Sequence, residues 1–262
     1  MAFAEINGSA LHYRHIASGR RPTIAFINSL GTDFRIWDPL IAELGGAYSY
    51  VLHDKRGHGL SELGAAPVSI EAYAADLAAL LDRLALDRIT ICGLSIGGLI
   101  ALALRQQRPD LVGRLAFCDT APKIGTQQTW NARIDATLEA GIGSFADGVM
   151  KLWFTPAFHR GRAAELAGYR TMLSRQAPAG YVAACAAIRD ADYSEAARAI
   201  NVPTIVVVGD QDGSTPPDLV RAFANVAPGA AFHVIEGAGH IPCVEQPAKL
   251  AALMRNFLEE PV

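Results

Sequence analysis

Gly93-Leu94-Ser95-Ile96-Gly97 separates two apolar runs, at 89–92 and 98–103, and this stretch decides the fold. The first run has the β-branched residues of a strand, and the second has the small and apolar residues of a buried helix. A strand that enters a helix through so short a turn strains the backbone at its central residue, and flanking glycines leave room for the close approach. Ser95 is therefore predicted at the exposed point of the turn, over a helix N-terminus that favours developing negative charge. That position suits a nucleophile, whereas the alternative is a glycine-rich turn with an incidental serine.

Composition restricts the class of protein. The chain has 262 residues, 51% of them hydrophobic, which is enough for one large core. With 23 basic and 26 acidic residues and no basic run, we expect neither a nucleic-acid nor a membrane partner. The four cysteines form no C-x-x-C pair and are predicted to be buried, reduced thiols. The N-terminus has no basic region followed by a long apolar core, so we expect a cytoplasmic protein.

Short β-type runs alternate with helical patterns along the chain, which predicts an α/β fold. The expected architecture is a mostly parallel sheet flanked by helices on both faces and opened by an antiparallel N-terminal hairpin. The strands are predicted at 10–16, 23–27, 48–53, 88–92, 114–118, 204–208 and 231–235. Helices are predicted at 70–84, 96–105, 217–225 and 246–258.

One segment interrupts the alternation. Residues 120–202 contain no strand-like run, but they contain short helical patterns and many aromatic residues. An insertion of this kind is typical of a helical cap over the carboxyl edge of a sheet, where ligands bind in open α/β folds. We therefore expect a core formed by 1–119 and 203–262 and a cap formed by 120–202, with most of the cap aromatics in a satellite core of their own.

A serine nucleophile needs a base, and histidine is the usual one. His240 lies in the glycine-flanked segment 237–242, directly after the last predicted strand, so its loop can approach the sheet edge. It is the predicted base. For the other histidines weighed, a structural or surface role is the better interpretation; they are His12, His15, His53, His159 and His233.

The acid that fixes the tautomer of the histidine should follow the strand before it. The segment 206–213 supplies Asp210 and Asp212 at that place. Asp212 lies farther into the loop and is the favoured acid, because Asp210 is better suited to accept hydrogen bonds from its own turn. Asp119, at the end of another predicted strand, is a third candidate. The chain order Ser95, Asp212, His240 is that of one convergent type of triad.

Acyl transfer also needs donors for the oxyanion. One is expected from the backbone N–H of Ile96, next to the nucleophile. The second is expected from the N–H of Leu30, in the glycine-containing segment 28–32 that follows an early strand. A simple strand-to-helix connection at 28–32 is the alternative.

Four motifs together make the sequence resemble the α/β-hydrolase superfamily: Asn28–Gly31, Asp54–Ser61, Gly93–Gly97 and Gly237–Pro242. Within it, Asn28–Asp33 and Trp37-Asp38 look like the 3-oxoadipate enol-lactonases of aromatic-acid catabolism. Most relatives carry His-Gly where this chain has Asn28-Ser29, a departure that fits the lactonase group. It leaves the oxyanion donor in place, because that donor is a backbone N–H.

The resemblance implies a hydrolase, free of cofactor and metal, that opens a small carboxylated enol-lactone. Such an anionic lactone or ester substrate needs a local cation, and Arg133 is the candidate, with Trp130 as a wall of the pocket. Arg14 and Arg35 are the alternatives. A carboxylesterase or C–C bond hydrolase would use the same triad, and a ligand-binding receptor could retain it with little turnover.

Overall fold

A mixed eight-stranded sheet forms the centre of the protein in a computed structural model, which describes residues 1–19, 22–65 and 68–259. The strands are β1 (Ala2–Ile6), β2 (Ser9–Ile16), β3 (Thr23–Ile27), β4 (Ser49–His53), β5 (Ile89–Leu94), β6 (Val112–Cys118), β7 (Thr204–Gly209) and β8 (Ala231–Ile235).

The strands lie in the order β1-β2-β4-β3-β5-β6-β7-β8. The pairs β1/β2 and β2/β4 are antiparallel, and every pair from β4/β3 to β7/β8 is parallel. The predicted α/β fold and its N-terminal hairpin are therefore confirmed. Strand β1 was not among the predicted strands, because AFAEI is short and buries only Ala4 and Ile6.

Helices cover the sheet and fill the long insertion. Outside the insertion they are α1 (Asp38–Leu44), α2 (Ile70–Arg83), α3 (Ile96–Gln107), α10 (Pro217–Val226), α11 (Pro242–Glu245) and α12 (Pro247–Glu259). Between β6 and β7 the chain forms α4 (Gln127–Ala140), α5 (Ala146–Trp153), α6 (Pro156–Gly161), α7 (Ala163–Ser174), α8 (Pro178–Asp190) and α9 (Ser194–Arg198), with no strand. Helix α1 was not predicted. We call the residues from α4 to α9 the cap.

The cap packs directly on the rest of the molecule. Its buried aromatics, among them Trp153, Phe158 and Tyr181, belong to the same apolar cluster as the sheet residues and not to a satellite core. Within the described ranges, no helix is long and apolar enough to cross a bilayer. All four cysteines are buried and free, as predicted.

The parallel strands determine where the reactive residues can lie. Strands β3, β5, β6 and β7 all end at the same edge, and the residues that follow them include Asn28, Ser95, Asp119 and Asp210. Residues far apart in sequence therefore meet at one edge of the sheet.

Candidate active site

Ser95 occupies the tight turn between β5 and α3. Its backbone is in a strained conformation, with φ 58° and ψ −120°. A Cβ on Gly93 would lie 2.3 Å from the Gly97 carbonyl oxygen, and one on Gly97 would lie 2.3 Å from that of Ile27. Both glycines are therefore required for the turn, as the sequence indicated.

His240 and Asp212 are hydrogen-bonded to each other. His240 Nδ1 lies 2.9 Å from Asp212 Oδ2 and 3.0 Å from Oδ1, and their side chains are only 2% and 0% exposed. With Nδ1 held by the carboxylate, Nε2 is the nitrogen left for proton transfer.

Thr215 completes the support of the acid. Its hydroxyl donates to Asp212 Oδ2 over 2.6 Å, while the backbone N–H groups of Ser214 and Thr215 donate to Oδ1 over 2.7 and 3.0 Å. Burial by itself raises the pKa of Asp212. The charge on His240 and the hydrogen bonds from His240 and Thr215 outweigh burial, so the pKa lies below its usual value.

Asp210 has a different position. Asp210 is exposed, and its Oδ1 accepts hydrogen bonds from the N–H groups of Gly237 and Ala238, at 2.8 and 3.1 Å. The structure thus brings Asp212, and not Asp210, against His240. Asp210 instead fixes the start of the loop that carries the histidine.

Asp119 lies behind the pair. It is fully buried, and its Oδ1 accepts from the Gly209 N–H over 2.8 Å. Burial and the negative charge of Asp212 raise its pKa well above the usual value. One ligand-type atom each from Asp119, Asp212 and His240 lies within 4.8 Å of the others, a set that could hold a metal ion. The Asp212 oxygens, however, already accept hydrogen bonds from four donors.

Two backbone N–H groups beside Ser95 are available as donors. Leu30 follows β3, and Ile96 begins α3; within the described part of the chain no hydrogen bond uses either N–H. Gly31, at φ +73°, lets the loop approach the cap, since a Cβ there would lie 2.4 Å from Leu173 Cδ1 and 3.2 Å from Tyr181 Cε2.

A cavity of about 340 Å³ lies between the sheet edge and the cap, a size suited to a small molecule. The sheet side contributes Ser29, Leu30, Ser95, Gly213, Ser214 and His240. The cap side and the loop before it contribute Ile124, Gly125, Thr129, Trp130, Arg133, Val149, Leu152, Trp153 and Tyr181. The structure thus brings five sequence-predicted residues to one cavity, while Asp212 and Ile96 are buried beside it.

Arg133 carries the positive charge of this cavity. Its Nη1 donates to the Tyr181 hydroxyl over 3.3 Å, and its guanidinium carbon lies 4.7 Å from the centre of the Phe145 ring. Arg133 forms no ion pair with a described residue, and no carboxylate is among the described residues that line the cavity. Trp130 is fixed beside it by a 2.6 Å bond from Nε1 to the Ile124 carbonyl.

The two alternative cations lie elsewhere. Arg14 is paired with Asp38, and Arg35 is paired with Asp33 at 2.6 Å. Both arginines line a separate groove beside α7. Neither has a free charge directed at the cavity that contains Ser95.

Main-chain bonds join the cap to the loops of the acid and the histidine. The N–H of His240 donates to the Trp153 carbonyl over 2.8 Å, and the N–H of Gly213 donates to the Leu152 carbonyl over 3.3 Å. Gly239 makes the approach possible, because a Cβ there would lie 2.4 Å from the Trp153 oxygen.

Sequence reasoning missed three residues of this region. Thr215 supports Asp212, and the spacing D-x-x-T is a local signal for such a turn. Tyr181 contacts Arg133 from a helix 48 residues away, for which the sequence has no signal. Lys55 donates to the carbonyl oxygens of Asn28 and Ser29, and it lies in a motif that was used only to assign the fold.

Comparisons with known proteins identify the family of the chain. A model of the alpha/beta hydrolase family matches residues 24–253. The 3-oxoadipate enol-lactonase 2 of Acinetobacter baylyi is 32% identical over 252 residues, which cover 95% of this chain and 94% of that protein.

Solved structures of an enol-lactonase and of an esterase are also similar to this chain. The enol-lactonase from Burkholderia xenovorans LB400 superposes with a TM-score of 0.94 at 34% identity, covering 99% of this chain and 100% of that one. A thermophilic esterase from Thermogutta terrifontis, with malate bound, has a TM-score of 0.92 at 25% identity, with 98% of each chain covered.

Proposed function

The chain belongs to the alpha/beta hydrolase family, and on that premise we propose that it hydrolyses 3-oxoadipate enol-lactone to 3-oxoadipate, a step of aromatic-acid catabolism. The observation that carries the proposal is the cavity itself, which combines Ser95 and His240 with the guanidinium of Arg133, a cation that forms no ion pair within the described part of the chain. The similarity to two named enol-lactonases, at 32% and 34% identity, supports the same substrate.

The proposed reaction begins at Ser95. Its hydroxyl oxygen attacks the ring carbonyl as His240 Nε2 takes the proton, and the tetrahedral oxyanion accepts hydrogen bonds from the N–H groups of Leu30 and Ile96. The ring C–O bond then breaks, the enol oxygen leaves with a proton from His240, and the enol ketonises. Water, activated by His240, hydrolyses the acyl-enzyme and releases the second carboxylate.

Asp212 acts on this reaction through His240. Its carboxylate holds Nδ1–H, so that Nε2 is the basic nitrogen, and it stabilises the imidazolium that forms. Every step is assigned to side chains and N–H groups of this chain, and we expect equal rates with and without EDTA.

Arg133 selects the substrate in this proposal. A guanidinium between an aromatic ring and a phenol hydroxyl presents its remaining N–H donors to a carboxylate, which can accept two of them. In this arrangement the substrate carboxylate binds Arg133 while the lactone carbonyl lies at Ser95. The cavity suits such a substrate, because its reactive groups lie on one side and its cation lies on the other.

A carboxylesterase acting on neutral esters is the second candidate. The similarity to the Thermogutta terrifontis esterase and the apolar cap residues Val149, Leu152 and Trp153 favour it. An esterase of this kind would not depend on Arg133.

The test compares two substrates with the purified protein: the enol-lactone, followed by loss of its absorbance, and p-nitrophenyl acetate. We expect kcat/KM for the lactone to exceed that for the neutral ester by about 30-fold or more, as expected for a charge-paired carboxylate. A preference for the ester would favour the esterase. Negligible turnover of both substrates would contradict a hydrolase and favour a binding protein.

A further inference from the structure

Lys55 is buried directly beneath the loop that carries Leu30. The residue is 1% exposed, and its ammonium donates to the carbonyl oxygens of Ser29, over 2.7 Å, and Asn28, over 3.3 Å. The carboxylate of neighbouring Asp54 is directed elsewhere, since it accepts from His12 and from backbone N–H groups. The buried ammonium thus has two peptide carbonyls as its hydrogen-bond partners. Burial of a charge costs free energy, so packing alone does not explain a lysine at this position.

The Ser29 carbonyl and the Leu30 N–H belong to the same peptide group. That carbonyl also accepts from the Thr32 hydroxyl over 2.9 Å and from the Thr32 N–H over 3.4 Å. Donors on a carbonyl oxygen withdraw electron density from its amide, which makes the N–H a stronger donor, and a charged donor does so most. Lys55 therefore acts on the Leu30 N–H through one covalent peptide plane.

We propose that Lys55 is a positioning residue, which orients and polarises the Ser29–Leu30 peptide so that its N–H stabilises the oxyanion formed at Ser95. The inference rests on the proposed acyl-enzyme reaction, but not on the identity of the substrate. Lys55 itself lies behind the peptide and does not touch the reacting atoms. Its effect is specific to the transition state, because only there does full negative charge develop on the carbonyl oxygen.

The surroundings of Lys55 make this effect dependent on pH. Burial lowers the pKa of Lys55 to about 7, against the opposing influence of the Asp54 and Asp33 carboxylates. His53 and His58 also face this region, and burial followed by the charge of Lys55 lowers the pKa of both, so they are neutral near pH 7. Burial thus brings the titration of Lys55 close to neutrality, whereas His53 and His58 stay uncharged there.

Two variants separate the charge from the hydrogen bond. Lys55→Met keeps the length of the side chain but removes the ammonium, and Thr32→Val removes an uncharged donor from the same carbonyl. We expect Lys55→Met to lower kcat about 10-fold with KM little changed, less than the roughly 10²–10³-fold lost with an oxyanion donor itself. Thr32→Val should lose less than about threefold. In the wild-type protein we expect kcat to decline as the pH rises above 7, because Lys55 loses its charge. This decline should be absent in Lys55→Met and present in Thr32→Val.

Nuclear magnetic resonance of the Leu30 amide tests the proposal without catalysis. In the wild-type protein its ¹⁵N and ¹H shifts should titrate with a midpoint near pH 7, and in Lys55→Met that titration should be absent. An amide that does not titrate in the wild type, or that titrates alike in the variant, overturns the proposal. So does an unchanged kcat with only a lower melting temperature. Absence of turnover in the wild type would instead refute the proposed function, which this measurement does not require.

Discussion

The two sides of the cavity are constructed differently. On the sheet side, Ser95 and the Asp212–His240 pair are fixed by strand ends, close glycine contacts and buried hydrogen bonds. On the cap side, Arg133 and Trp130 are partly exposed side chains on one helix. On the sheet side, the backbone determines where the reactive atoms lie. On the cap side, the cavity is lined by side chains that can be substituted without a change in the backbone.

This difference separates reactivity from selectivity. The backbone of the sheet edge cannot change without loss of the turn at Ser95, so the position of the nucleophile should be constant among proteins that share this turn. We expect a change in the cap to alter which molecule reaches Ser95. Substitutions on the sheet side should therefore affect every substrate equally, and those on the cap side should affect substrates unequally.

The largest expected effect is that of Ser95→Ala. Removal of the nucleophile should lower kcat by roughly 10⁴–10⁶-fold on lactone and ester alike, because the remaining donors have no attacking oxygen to assist. Stopped assays at high enzyme concentration, with circular dichroism to confirm folding, provide the measurement. Retention of more than a few per cent of the rate would exclude Ser95 as the nucleophile.

Asp212→Asn should follow, with a loss of roughly 10⁴-fold on both substrates, because the amide favours the wrong histidine tautomer. Asp210→Asn is the matched control from the same loop and should lose only a few-fold. Steady-state kinetics of the two variants shows which aspartate supports His240. A larger loss of kcat in Asp210→Asn than in Asp212→Asn would identify Asp210 as the acid.

Arg133→Met tests the cap side. The loss in kcat/KM for the lactone should be about 2–4 kcal/mol, because the substrate carboxylate loses its charged partner, while the neutral ester should be hydrolysed almost unchanged. Arg160→Gln, at an exposed position of the same cap, is the control and should affect neither. Equal losses on both substrates would show that Arg133 supports the cap and not the ligand.

The smallest effect concerns the stability of the sheet side. The pKa of Asp119 is raised in the folded state, so the folded protein binds this proton more tightly than the unfolded chain, and stability falls as the pH rises above the usual carboxyl range. Asp119→Asn removes that dependence. The melting temperature of the variant should exceed that of the wild type at pH 8 by roughly 2–4 °C for each 1 kcal/mol gained, and the gain should shrink at pH 4. An identical pH dependence in both proteins would show that folding does not raise the pKa of Asp119.

The sequence predicted the sheet side better than the cap side, for a physical reason. A tight turn requires glycine at defined positions, so Gly93 and Gly97 are visible in the sequence as a backbone requirement. The contact between Arg133 and Tyr181 joins two helices by side chains alone, and no local pattern marks it. Asp119 illustrates the same limit, since its place at a strand end was predictable but its raised pKa depends on burial beside Asp212.

The bonds from His240 and Gly213 to the carbonyls of Trp153 and Leu152 have a consequence for the divergence of such proteins. A carbonyl oxygen is present whatever the side chain, so this junction imposes no identity on residues 152 and 153. A helix transplanted from another cap could keep the histidine loop in register if its last turn followed the same path. We therefore expect cap sequences to be exchangeable at this junction, provided that the register of the helix end is preserved.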